Sequence, residues 1–312
     1  EAKDAARLGM QEILHGDGTG VKATITVVTS TTVVTCANPY GITSAGQGGL
    51  LVDAGMYLGV YDVTLATIRG RATVTTAVNT GDNCVVTWGT AIADQIVGDV
   101  IVAATTSDSS ANNYPNGLTN IFNRGAAYNV FEGISAVTYS RWDATRLVAG
   151  TDTSSATEIS EMDIWDLSQR VAARSGFDAM QNPREFLLLT TPGLYKKLGE
   201  SFLGQRRITQ SEAATKIRGG FKALEICGIP MVQDFWCPAG VVYLCHVPSL
   251  TWVDSKDWGQ VQYEGAGPWR WIQGRDAFET SWSAYINFGA VQRNAMGMIT
   301  GFTDTNRYSH VM

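Results

Sequence analysis

Charged side chains are scarce in this 312-residue chain: Asp, Glu, Lys and Arg together make 17% of it, where soluble domains usually carry roughly a quarter. The net charge is −6, which excludes the strongly basic footprint of a nucleic-acid binder. Histidine is rarer still, at three residues (His15, His246 and His310), so the material for metal ligation and acid–base chemistry is thin. Five cysteines, an odd number scattered from Cys36 to Cys245, do not make a secreted disulfide framework. They predict reduced, mostly buried thiols in an intracellular protein. No apolar run approaches the roughly 20 residues of a membrane helix; the best candidate, 240–244, is far too short. No secretory leader is visible, and a start at Glu1 rather than methionine predicts that a segment upstream was removed. What the chain does have is apolar bulk, at 45%, and 33 glycines. That is enough for two domains and a real core. A surface so poor in charge must present hydroxyls and backbone groups, which suits β structure and broad protein contacts.

Composition divides the chain. Ala6, Leu8, Met10, Ile13 and Leu14 fall at helical spacing, so 1–15 is predicted to be a short amphipathic helix stopped by Gly16, followed by a Gly-Asp-Gly-Thr-Gly turn over 16–20. From 21 to 110 the character changes: 17 of 90 residues are threonine and only nine are charged. The β-branched runs 23–28, 31–35, 61–65 and 72–75, with turns such as 79–83 between them, predict a compact all-β barrel or sandwich whose last strand is 98–102. Residues 111–157 are irregular yet aromatic (Tyr114, Phe122, Tyr128, Phe131, Tyr139, Trp142), which predicts a segment lying against its own domain or a neighbouring subunit.

Ser160 is a good N-cap, Glu161 and Asp163 favour the positive end of a helix dipole, and Gly176 is a stop. A helix of about 15 residues is predicted between them. Met162, Trp165, Gln169 and Ala172 form one stripe, with Ile164, Leu167 and Val171 beside it. A buried strand over 184–189 and a short helix from Pro192 to Leu198 follow. Residues 201–220, with Arg206, Arg207, Lys216 and Arg218, read as an exposed loop. Strands then alternate with turns at 229–235, 240–247, 250–253, 259–264, 278–288 and 297–302.

The residues supply little chemistry. The 16–20 turn lacks the lysine and following helix of a phosphate loop. Cys237, Cys245 and His246 have no short metal-ligand spacing, and strand periodicity puts both thiols on one core-facing side. Glu158, Glu161, Asp163 and Asp166 are explained by the helix dipole. No catalytic, cofactor or metal residue is assigned. The loop 265–271 carries Trp269, Arg270 and Trp271 on a Gly-Ala-Gly-Pro base. It reads either as partly buried on its own domain or as a contact surface, since Trp and Arg dominate interface hot spots.

The order of short motifs from Asn116 to Phe302 resembles the major capsid proteins of tailed phages (Caudoviricetes), the Hong Kong 97-type shell fold. Asn116-Gly117-Leu118, Phe131-Glu132-Gly133-Ile134-Ser135 and Arg141-Trp142 precede the position of that family's spine helix, here 158–176. The strand and helix 186–198, the pair 228–232 and 237–244, and the finish 291–302 follow in the family's order. The resemblance implies an α+β fold. Residues 1–20 are the helix and turn of the peripheral domain, and 21–110 an inserted all-β module. The spine segment is 111–183, the axial domain 184–255, the long strands and tip loop of the peripheral domain 256–290, and the return strand 291–312. The family's N-terminal arm and extended loop are not in this sequence.

It also implies a structural protein, not an enzyme, that assembles with copies of itself as hexamers and pentamers. The icosahedral head encloses double-stranded DNA without sequence-specific contacts, is assembled in the host cytoplasm and has no membrane partner. Scaffold, portal and decoration proteins are the further partners implied. The subunit-contact candidates are Trp269, Arg270, Trp271, Arg206, Arg207 and Trp142. A nanocompartment shell of the same fold and a β-rich binding or adhesion protein are the alternatives; the large β module counts against the first, and the capped helix against the second.

Overall fold

A computed structural model describes residues 13–41, 49, 51–80, 83–104, 111, 114–122, 130–153, 158–203, 224–262, 267–274, 276–280 and 282–304. Most of the expected 1–15 helix, and the loop with Arg206 and Arg207, lie outside these residues. Ile13, Leu14 and His15 are helical, and Gly16 follows them. The 16–20 turn forms as expected: the Asp17 carboxylate accepts a hydrogen bond from the Thr19 N–H at 2.9 Å, and Gly18 and Gly20 sit at φ 81° and 75°.

Six antiparallel strands then close a barrel: β1 (Val21–Val28), β2 (Val33–Ala37), β3 (Tyr57–Tyr61), β4 (Ile68–Thr80), β5 (Asn83–Trp88) and β6 (Val100–Ala103), in the order β1-β2-β5-β4-β3-β6. Alternation builds it. Ile25, Val34, Leu58, Val60, Val74, Val86, Trp88 and Ile101 point inward and fill the lumen. The threonines face outward, and their hydroxyls bridge strands: Thr26 donates to the Thr35 carbonyl at 3.1 Å and Thr75 to that of Thr87 at 2.8 Å. One expected strand is corrected. Residues 61–65 do not continue β3 beyond Tyr61, because the Asp62 carboxylate accepts from the Thr67 N–H at 2.8 Å and from the Thr64 hydroxyl. That local turn overrides the β-branched composition, and Leu65 inside it has φ 61°. The same hydrogen bonds, led by that of Thr64, hold the Asp62 carboxyl below its ordinary pKa.

The body of the molecule is mixed α/β. It contains α1 (Leu118–Phe122), the hairpin β7 (Val130–Phe131) and β8 (Ile134–Ser135), β9 (Thr145–Val148), α2 (Glu161–Ser175), β10 (Phe186–Thr190), α3 (Pro192–Leu203), β11 (Leu224–Ile226), β12 (Ile229–Gln233) and β13 (Val242–His246). After these come β14 (Leu250–Gln260), β15 (Arg270–Trp271), β16 (Phe278–Glu279), β17 (Trp282–Ala290) and β18 (Gly297–Thr300). A six-stranded sheet, β11-β12-β10-β13-β18-β9, forms the centre, with parallel pairs at β10/β12 and β9/β18. Leu188, Val242, Leu244 and Ile299 of this sheet share a core with Ile164, Leu167 and Val171 of α2 and Leu194 and Leu198 of α3.

The start of α2 is a reciprocal cap. Asp163 N–H donates to Ser160 Oγ, and the Asp163 carboxylate accepts from the Ser160 N–H at 3.0 Å. Gly176 ends the helix in the left-handed conformation, φ 79°. Below it, Gly297 lets helix and sheet touch: a Cβ there would lie 2.7 Å from Leu167 Cδ1 and 2.9 Å from Val171 Cγ2. The buried face of α2 is Ile164, Leu167, Ser168 and Val171. The stripe begun by Met162 and Trp165 instead faces solvent, at 61% and 42% exposure. The aliphatic stripe is the one that packs on the sheet, with Leu167 and Val171 against Gly297.

The barrel docks on this body through Tyr40 and Leu51, which pack on Trp236. The Tyr40 carbonyl accepts from the Ala239 N–H at 3.0 Å. A further correction concerns 250–264. The expected strand 250–253 and the start of the expected strand 259–264 lie on one strand, β14 (Leu250–Gln260), paired with β17 through two register shifts. The domain boundary expected at 255/256 therefore falls inside a continuous strand.

The β11–β12 hairpin turns on two residues, Cys227 and Gly228, at φ 52° and 80°. Two consecutive positive φ values make this a turn for Asn-Gly rather than Cys-Gly. Cys227→Asn is expected to raise the stability of the fold by about 0.5–1 kcal/mol, since asparagine tolerates the left-handed region better. Urea unfolding would show this as a higher midpoint at unchanged slope.

Candidate assembly surface

β14 and β17 make a two-stranded ribbon that has no third strand among the described residues. A lone pair of strands is at best marginally stable in water, so its register needs support from its ends or a covering partner. The base supplies the first. Leu250, Phe288 and Ala290 pack with Leu118, Phe131, Tyr243 and Met296. Glu132 sits at φ 52° in the β7–β8 turn, and its carboxylate accepts from the Ala290 N–H at 2.9 Å. Asn287 accepts from the Asn116 N–H at 2.7 Å. Beyond the ribbon, Arg293 is fully buried. Its Nε donates to the Ile121 carbonyl, its guanidinium lies 5.5 Å over the Phe131 ring, and Asp143 is 3.6 Å from Nη2.

Away from the base the ribbon sets exposed apolar side chains beside the polar run Asp254, Ser255 and Lys256. Trp252 stacks edge-on to Phe288 at 4.7 Å, and Val253 and Tyr285 stand 53% and 65% exposed. At the tip, β15 and β16 place Arg270 opposite Glu279 and Trp271 opposite Phe278, whose rings meet edge-on at 4.9 Å. Trp269, Trp271 and Phe278 remain more than half exposed. The cluster joins large apolar area to a rigid two-residue ladder, the combination that anchors protein interfaces.

The structure thus brings Trp269, Arg270 and Trp271 together on one protruding tip. Arg270 has a carboxylate within its own chain, Glu279 at 3.7 Å, rather than waiting for one. Trp142 is half-buried against the core that holds Leu118 and Phe131. Arg206 and Arg207 lie outside the described residues. Sequence reasoning missed Glu132 and Arg293, the two side chains that fix the ribbon's base. Glu132-Gly133 between short apolar pairs was a usable hairpin signal; a single arginine in a loop offered none.

No catalytic constellation competes with this surface among the described residues. The nearest is His246, whose Nδ1 is 2.6 Å from Ser249 Oγ and whose Nε2 is 3.5 Å from Glu185. Ser249 is buried within its own turn and His246 lies between Phe177 and Phe186 at 4.7 and 4.8 Å. The contact staples a turn. Cys237 and Cys245 share the other core, where burial pushes the Cys245 thiol up to about 12. No group of three or more His, Cys, Asp or Glu side chains among the described residues could hold a metal ion, and no described helix is long and apolar enough to cross a membrane.

Among solved structures, the chain is similar to a chain of the cyanophage A-1(L) capsid asymmetric unit, at 17% identity and TM-score 0.46 over 64% of this chain and 62% of that one. It is also similar to the SrpI encapsulin of Synechococcus elongatus PCC 7942, at 14% identity and TM-score 0.36 over 62% and 63%. A virus-like particle from Pyrococcus furiosus matches at 15% identity and TM-score 0.30 over 50% and 54%. The match spans less than two thirds of each of those chains. No family profile and no curated protein matches the sequence.

Proposed function

We propose that this chain is the subunit of a closed protein shell, and in particular a major capsid protein of a tailed phage whose head encloses double-stranded DNA. The observation that carries the reading is the ribbon β14–β17. It is fixed at its base, bears the exposed apolar side chains Val253 and Tyr285, and carries Trp269, Arg270 and Trp271 at its tip. A second copy of the chain is the occupant that suits it. Low charge density lets copies approach on many sides with little charge desolvated, and the order of sequence motifs from Asn116 to Phe302 is that of shell proteins. The barrel enlarges the subunit beyond a minimal shell body, which favours the phage reading over a nanocompartment. Scaffold, portal and decoration proteins belong to the same reading, as does location in the virion.

Negative-stain microscopy and light scattering of the chain, expressed with whatever precedes it in its gene, test the shell. Closed particles are expected. A stable monomer across a wide range of salt would overturn the shell reading. Nuclease-protected double-stranded DNA inside particles from producing cells supports the phage assignment, and an enzyme cargo in its place overturns it.

A further inference from the structure

We infer that Cys36 and Cys84 form a dithiol site inside the barrel, which a small peroxide oxidises to a disulfide across β2 and β5. The inference stands on register. The two cysteines are direct partners in the antiparallel β2–β5 ladder, so their side chains leave the sheet on the same face. Directly opposed residues have Cα atoms roughly 4.5–5.5 Å apart, inside the window of about 4.4–6.8 Å that a disulfide spans. Both are fully buried in the barrel core, and the Cys36 thiol donates to the Cys84 carbonyl at 3.4 Å. Gly49 closes over the pair: a Cβ there would stand 2.6 Å from Cys84 Sγ, so glycine leaves the sulfur its space.

The two thiols are not equivalent. A hydrogen bond from Cys36 lowers the pKa of Cys84, whereas the same contact and burial raise that of Cys36. Cys84, the sulfur whose pKa is lowered, is assigned the attack, and Cys36, directly opposite it in register, resolves. The Cys84 sulfur attacks one oxygen of hydrogen peroxide, breaks the O–O bond and releases hydroxide, giving a sulfenic acid. Cys36 sulfur then displaces the sulfenic oxygen as water. Two thiols and one peroxide become one disulfide and two waters, with sulfur oxidised and oxygen reduced. The chemistry is independent of the proposed function. If that function holds, a shell leaving a reducing cell for an oxidising medium acquires its staple after assembly.

The sequence makes the test clean. Trypsin leaves Cys36 on 23–69 and Cys84 on 72–124, while Cys227, Cys237 and Cys245 all fall on 223–256. The folded chain is treated with hydrogen peroxide, blocked with an alkylating agent, digested and analysed by mass spectrometry. A linked 23–69/72–124 pair, lighter by two hydrogens and lost on dithiothreitol treatment, is expected. The cross-link joins positions 48 apart, so the thermal midpoint should rise on oxidation, and Cys84→Ala should abolish that rise. Cys36→Val, matched in hydrophobic character, is the second variant should alanine loosen the barrel. Both barrel peptides alkylated and unlinked after peroxide treatment would overturn the site, as would a link that forms only once the chain has been unfolded in urea.

Discussion

Arg293→Met is expected to cost the fold about 3 kcal/mol, the lower end of what breaking a buried ion pair costs. The guanidinium is fully buried and joins three segments. It donates to the Ile121 and Asn120 carbonyls at the end of α1, faces Asp143 at 3.6 Å, and covers Phe131 of the β7–β8 hairpin. Methionine fills much of the volume but returns none of the donors, so two carbonyls lose a partner and a buried carboxylate loses a cation. The low end applies because Arg146 stays 3.5 Å from Asp143 and keeps that charge from being orphaned. Lysine should recover little, since a point charge cannot fork between carbonyl and carboxylate. Urea unfolding measures the loss directly; a change under about 1 kcal/mol would show that Arg293 is a passenger in the core.

Much of the scaffold was legible because period and punctuation agreed. Ser160, Asp163 and Gly176 marked the ends of α2 correctly, since capping is local chemistry that needs no knowledge of the rest of the fold. The barrel strands were legible from alternation, and threonine on the outer face was compatible with any barrel or sandwich. Failures came where a side chain bonded its own backbone or where tertiary contact chose between faces. Asp62 turned a β-branched run into a turn. On α2, the Met162–Trp165 stripe and the Ile164–Leu167–Val171 stripe were both apolar. The second is the one that meets the sheet, at Gly297 more than a hundred residues away. No local pattern holds that information.

The candidate surface was half legible. Glycines and a proline ahead of Trp269 announced a tip, and two indoles with an arginine announced contact. The continuity of β14 was hidden because Asp254, Ser255, Lys256 and Asp257 look like a polar loop. Two register shifts let the strand carry them while its pairing with β17 resumes on either side.

If the chain forms the proposed shell, Trp269→Ala with Arg270→Ala is expected to leave a folded, soluble subunit that no longer closes shells. Trp269 is half exposed at the tip, so little of the subunit's own core depends on it. Arg270 pairs with Glu279 across a solvent-exposed ladder at 3.7 Å, and such surface pairs add little stability. The unfolding free energy should therefore change by less than about 0.5 kcal/mol. At an interface the same truncations cost roughly 2 kcal/mol each, and about 4 kcal/mol together is close to a thousandfold in the strength of one contact. A closed shell repeats that contact at every equivalent position, so the penalty multiplies with each subunit added while the fold is charged nothing further. Trp271→Ala makes a sharper companion, because its ring braces Phe278 at 4.9 Å and its loss should soften the tip as well as the contact. Sedimentation velocity and negative-stain microscopy read the outcome. Normal shells from the double variant would sink the assignment of this tip, and an insoluble product would show that the tip serves the subunit's own fold instead.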